Sequence, residues 1–183
     1  MSFKTKTLSA IVLATSALFG LSAQAGTVIY NTGSAATATV ALGVNDDGSL
    51  NTTPNITANA GRTGLSYKFA DGSWRDATAP GCYCEGWGVS ANGTSSGYAN
   101  VAVGSGGLTT GAPTSVTGST VTTTTSLVSM PGLVVTQAYK PSTSAPGALF
   151  EVVVTITNTT GAALTDVKYV RVMDWDVPRT EFN

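Results

Sequence analysis

The stretch Phe150-Glu151-Val152-Val153-Val154-Thr155-Ile156-Thr157-Asn158-Thr159-Thr160-Gly161 decides the fold class. Successive side chains of a strand point to opposite faces. Phe150, Val152, Val154 and Ile156 therefore share a face that can line a core, and Glu151, Val153, Thr155 and Thr157 share the other. Asn158 to Gly161 supplies turn chemistry, with Gly161 able to take positive φ. Beyond the turn, a second run puts Val167, Tyr169, Arg171, Met173 and Trp175 on one face and Lys168, Val170, Val172, Asp174 and Asp176 on the other. These two runs are expected to pair as an antiparallel hairpin.

Working outward, the same texture continues. Pro131-Gly132 favours a type II turn, which predicts a second hairpin across Met130-Pro131-Gly132. Its first arm, Thr120 to Leu127, is mostly Thr and suits a half-exposed strand. Candidate strands are Thr27–Tyr30, Ala36–Val44, Leu65–Ala70, Trp87–Ser90, Tyr98–Val103, Ser119–Ser129, Leu133–Tyr139, Leu149–Thr157 and Leu164–Val177. Gly104 to Gly118, rich in Gly, Ser, Thr and Pro, reads as a long loop or a sub-boundary. No amphipathic helix is visible. The expected architecture is all-β, an antiparallel β-sandwich of Ig-like or jelly-roll-like type, incomplete at its C-terminus because the chain stops soon after its last strand-like run.

Composition narrows the function. The 183 residues hold 9 Lys plus Arg, 10 Asp plus Glu and no His. No basic excess exists to neutralise phosphates, so nucleic-acid binding is not expected. Zero His removes Ser-His-Asp and Cys-His catalysis, and His-ligated zinc with them. With 42% hydrophobic residues the chain can build a core.

The N-terminus reads as a secretory leader. Lys4 and Lys6 precede an uncharged, mostly apolar run from Leu8 to Leu21, followed by Ala23-Gln24-Ala25. The run is shorter than the roughly 20 residues of a spanning helix. Cleavage after Ala25 leaves residues 26–183 as one β-domain, with no apolar run long enough to anchor it and a location outside the cell or on its surface.

Four groups of residues could carry chemistry. Cys82 and Cys84 form a Cys-x-Cys pair between Gly81 and Gly86. A local disulfide that pins the loop is the first expectation, with pairing elsewhere or between molecules, and metal or redox use, as the alternatives. Trp74, Tyr83, Trp87 and Tyr98 lie within 25 residues. They are either core aromatics or a platform on which sugar faces stack. Asn45-Asp46-Asp47-Gly48-Ser49 is a hairpin turn signal that also offers Asn45 and Asp47 as oxygen donors for Ca²⁺. Asp174 and Asp176 share a strand face, where they are solvated carboxylates, Ca²⁺ ligands or the acids of a glycoside hydrolase. No cofactor is implied beyond that Ca²⁺ alternative.

Two resemblances add to this reading. Leu149 to Gly161, running on to Leu164-Thr165-Asp166-Val167, resembles the Ig-like repeat modules of bacterial surface proteins. The leader, Asp71-Gly72-Ser73-Trp74, Gly81-Cys82-Tyr83-Cys84-Glu85-Gly86-Trp87-Gly88 and Tyr169 to Pro178 together resemble exported proteobacterial proteins that carry a PEP-CTERM sorting tail; the tail itself is not present here. The resemblance implies location rather than activity. The expected function is a non-catalytic exported β-sandwich of the cell surface or extracellular matrix, with polysaccharide or other surface components as partners. A carbohydrate-binding module using Trp74, Tyr83, Trp87 and Tyr98 is the alternative, and a glycoside hydrolase a more distant one.

Overall fold

The computed structural model describes residues 26–110 and 115–177. The expected leader at 1–25, part of the expected loop at 104–118 and the end of the chain from Pro178 lie outside the described residues. Within them the chain is all-β and antiparallel, without a helix.

Among the described residues, twelve strands form three sheets. The first sheet holds β1 (Thr27–Tyr30), β2 (Val40–Val44), β3 (Leu65–Lys68) and β4 (Trp74–Asp76), in that order. A smaller sheet is ordered β12-β5-β6, from β5 (Gly86–Ala91), β6 (Ser95–Asn100) and β12 (Lys168–Val172). The third sheet joins β7 (Leu108–Thr110), β8 (Ser115–Thr117), β9 (Thr120–Leu127), β10 (Met130–Pro141) and β11 (Phe150–Asn158), in the order β11-β10-β9 with β7 and β8 both against β9.

The third sheet is one layer of a sandwich, and the two smaller sheets cover its two halves. The core contacts show this division. Ile29, Val40, Leu42, Val44 and Leu65 of the first sheet pack with Val121 and Tyr139 of the third. Trp87, Val89, Ala91 and Ala99 of the smaller sheet pack with Leu127, Leu133 and Val135. β10 is 12 residues long and runs under both. Its inward positions alternate as period 2 requires, and they read Leu133, Val135, Gln137, Tyr139. The polar Gln137 sits between the two apolar clusters. β9 repeats the pattern with Val121, Thr123, Thr125 and Leu127, all buried. β12 does so with Tyr169, Arg171 and, just past its end, Met173. A polar seam therefore crosses the middle of the core.

Several sequence expectations need correction. β11 and β12 do not pair with each other. β11 lies against β10, and β12 against β5 in the other layer. The chain from Thr159 to Val167 crosses between layers instead of turning back. β12 also ends at Val172, so Asp174 and Asp176 lie beyond the strand that was expected to reach Val177. The β9–β10 hairpin exists, but Met130 already faces Leu127. The turn is therefore Val128-Ser129, and Pro131-Gly132 falls in a bulge where the register shifts. Two three-residue strands, β7 and β8, occupy part of the stretch expected to be a loop.

Candidate functional site

The seam is filled by a turn. Asn45-Asp46-Asp47-Gly48-Ser49 follows β2 and turns the chain back on it, closed by the isolated Val44–Leu50 bridge. Gly48 N–H donates to Asn45 O at 2.9 Å, Asn45 N–H donates to Ser49 O at 2.8 Å, and Gly48 takes φ of 80°. A Gly in the left-handed region after a tight turn is the arrangement of a three-residue hairpin loop. Connecting turns normally run over the surface, because a buried one must satisfy its backbone polar groups inside the protein. Here Asn45, Asp47, Ser49, Asn51 and Thr52 are all buried.

The polar groups of the turn find partners partly within it and partly on other elements, whereas Asn51 Nδ2 and Thr52 Oγ1, just beyond it, have no hydrogen-bond partner among the described residues. Asp47 Oδ1 accepts from the Ser49 N–H at 3.0 Å and its hydroxyl at 2.7 Å, and Oδ2 accepts from the Ser105 hydroxyl at 2.7 Å. Asn45 Nδ2 donates to Leu50 O at 2.7 Å. Trp87 Nε1 donates to Asp47 O at 2.9 Å. Gly48 O accepts from Tyr139 Oη at 2.6 Å and Arg171 Nη2 at 3.2 Å. Leu50 N–H donates to Glu85 Oε2 at 2.6 Å.

Glu85 and Arg171 form the ion pair of this assembly. Glu85 is fully buried just before β5, and Arg171 Nη2 lies 2.6 Å from its Oε1. Arg171 Nη1 also donates to Gln137 Oε1 at 2.8 Å and to Tyr139 Oη at 2.7 Å, and Tyr169 Oη donates to the same Gln137 oxygen at 3.0 Å. One guanidinium thus ties β12, β10 and the turn. Burial pushes the Glu85 carboxyl above the usual range, opposed by the Arg171 charge and the Leu50 N–H. Burial likewise pushes the Tyr139 hydroxyl well up, so it stays a neutral donor. A charge in the interior is tolerable only when paired and hydrogen-bonded, and here both ions are. The period-2 reading had placed Arg171 on the apolar face of its run, which was the visible signal. Glu85, Gln137 and Tyr139 were missed.

Asp76 is a further buried carboxylate with a structural task. It accepts from the Ser66 hydroxyl and from the N–H groups of Gly64, Thr78 and Ala79. Burial raises its pKa against these bonds.

The other sequence candidates separate. Trp87 is buried, stacked on Tyr169 with centroids 5.7 Å apart. Tyr98 is 47% exposed on the opposite face of the same sheet, since it pairs with Gly88 rather than with Trp87. Trp74 sits on β4 beside Tyr30, with Lys68 over its ring. Tyr83 carries Arg62 over its ring at 5.2 Å. The four aromatics therefore do not form one platform. Tyr98 instead forms one wall of a groove whose other wall is Val170 and Val172 and whose floor is Gly88. A Cβ at Gly88 would meet its nearest neighbours at ordinary contact distances, Gly97 O at 3.4 Å and Tyr98 Cβ and Val170 Cγ1 at 3.7 Å.

The Cys82 and Cys84 sulfurs are in contact, with Cα atoms 5.2 Å apart. Asp174 Oδ2 lies 3.3 Å from Cys82 Sγ. Asp176 donates its backbone N–H to Ala77 O at 2.9 Å, which lashes the segment after β12 to the end of β4. The two acids thus have different surroundings.

Comparison with protein-family models, with curated proteins and with solved structures found no match for this chain.

Proposed function

We propose that this chain is a non-catalytic β-sandwich domain exported to the cell surface or extracellular matrix, where Cys82 and Cys84 are joined as a disulfide. One observation carries the reading. The strongly perturbed ionisable groups, which in an enzyme would be sought in a cleft, are here turned inward onto structural targets. Glu85, Arg171 and Tyr139 close on the backbone of the buried turn, and Asp76 closes on the N–H groups around β4. The test is to express the full chain with a C-terminal tag in a Gram-negative host. The expected outcome is a product that begins at Gly26 and is removed from intact cells by external protease. Retention in the cytoplasm with Met1 intact overturns it.

The groove beside Tyr98 favours a second reading, the binding of neutral polysaccharide. An exposed aromatic ring beside an open glycine floor, rimmed by Ser90, Ser96 and Asn100, presents the apolar face and hydroxyl partners that a sugar ring uses. Affinity electrophoresis through gels of neutral polysaccharide tests it. Retardation that is lost in Tyr98→Ala and kept in Trp74→Ala supports this reading, and unretarded migration in every gel rejects it.

A further inference from the structure

We propose that Cys82, Cys84 and Asp174 are a redox-gated site for a thiophilic divalent cation such as Zn²⁺. The sequence showed only two thiols and no His, which is too few ligands for zinc. The fold adds Asp174, 92 residues downstream of Cys82. One ligand atom from each of the three residues lies within 4.8 Å of the others, and all three residues are half-buried, reachable from solvent.

Two chemical observations support a cation here. First, the contact between Cys82 Sγ and Asp174 Oδ2 has no proton in it when the cysteines are joined. A disulfide sulfur offers no S–H, so the 3.3 Å approach of Asp174 Oδ2 to Cys82 Sγ is then a van der Waals contact with no hydrogen bond in it. The same contact is a hydrogen bond when Cys82 is a thiol. It is an edge of a coordination polyhedron when both atoms bind a metal. Second, the distance suits the last case. Zinc holds thiolate sulfur at about 2.3 Å and carboxylate oxygen at about 2.0 Å, which at a tetrahedral angle separates the two by about 3.5 Å. The two sulfurs would then stand about 3.8 Å apart. Rotation of two side chains on a loop flanked by Gly81 and Gly86 provides that movement.

The gate is the sulfur–sulfur bond. An external dithiol supplies two electrons and two protons; the Cys82–Cys84 bond breaks and the dithiol closes to its own disulfide. Binding of the cation then releases the two thiol protons, because thiolates are the ligands. The disulfide form offers a single carboxylate and no thiolate. Three protein ligands leave a coordination position for water, as in open zinc sites. This inference is independent of where the protein works.

The test uses the full chain from residue 26, either oxidised or reduced with a phosphine, and probes it with Zn²⁺ by equilibrium dialysis and with Co²⁺ by optical absorption. Reduced protein should hold one Zn²⁺ per chain and give a thiolate-to-Co²⁺ charge-transfer band; oxidised protein should do neither. Asp174→Asn should weaken Zn²⁺ binding by about tenfold or more, since loss of a ligand costs at least what loss of an outer partner does. Asp166→Asn, at an acid paired with Lys168, should bind as the parent does. Cys82→Ser should lose the charge-transfer intensity. Equal binding in both redox states, no binding in the reduced state, or parental affinity in Asp174→Asn overturns the proposal.

Discussion

The tripeptide Asp-Gly-Ser occurs at 47–49 and again at 71–73, and the two copies make the same turn in opposite surroundings. In the second, Gly72 N–H donates to Phe69 O at 2.9 Å, Phe69 N–H donates to Ser73 O at 2.8 Å, and Gly72 takes φ of 81°. Asp71 Oδ1 accepts from the Ser73 N–H at 2.9 Å and its hydroxyl at 2.6 Å, as Asp47 does from Ser49. Yet the Asp47 turn is buried in the core, and the Asp71 turn lies in solvent between β3 and β4. A Cβ at Gly72 would meet nothing within 4 Å, whereas one at Gly48 would stand 2.4 Å from Gln137 Nε2. Local sequence therefore fixes the turn and leaves its burial to distant residues. Trp87, Ser105, Tyr139 and Arg171 supply partners for one copy. For the other, Asp71 Oδ2 meets Arg75, at 3.4 Å.

The largest expected difference is between the two arginines. Arg171→Ala leaves Glu85 buried without its counter-ion and should lower unfolding stability by about 3–5 kcal/mol. Arg75→Ala removes an exposed pair and should shift the urea midpoint little. Equal shifts for both would mean that the buried turn is not held as described. Next come the two glycines. Each occupies the left-handed region, so alanine costs about 1–2 kcal/mol at either. At Gly48 the clash with Gln137 adds overpacking of about 1–3 kcal/mol. Thermal melts of Gly48→Ala and Gly72→Ala should therefore separate clearly, and coincident melts would remove the packing argument.

The smallest effect is one of sign. Ser73 holds the Asp71 carboxyl below its ordinary 3.8, first through its hydroxyl and then its N–H. That contribution is complete above 3.8 and is lost as pH falls through the folded value. Burial holds Glu85 above its ordinary 4.5. The native state then keeps more protons than the unfolded chain, so this contribution is complete below 4.5 and is lost as pH rises through the folded value. Urea midpoints recorded upward from pH 4 should carry a downward component that Glu85→Gln abolishes and Asp71→Asn leaves in place. A slope unchanged in Glu85→Gln assigns the component elsewhere.

Much of the sandwich was legible. The alternation Phe150, Val152, Val154, Ile156 gave β11 and its inward face, because period 2 is a local property. Its pairing was not legible. Two amphipathic strands joined by turn residues look the same whether they share a sheet or face each other across a core. β4, β7 and β8, at three residues each, are too short to show a period. Of the site, Arg171 on an apolar face was the readable clue. The partnership of Asp174 with Cys82 joins two loops far apart in the chain, which no spacing rule connects.

The buried turn also sets an order of events. Its contacts reach 91 residues forward to Tyr139 and 123 to Arg171. Closing such long loops is entropically costly and slow. In a chain made from its N-terminus, Gly48 emerges early and Arg171 among the last of the described residues. During synthesis the turn must wait, with its carbonyl groups in water, while most of both layers is being made. Docking of β10 brings the Tyr139 phenol, and only the arrival of β12 brings the guanidinium that completes the bonds to the Gly48 carbonyl. The last of the twelve described strands in sequence thus completes the partners of a turn made near the start of the domain.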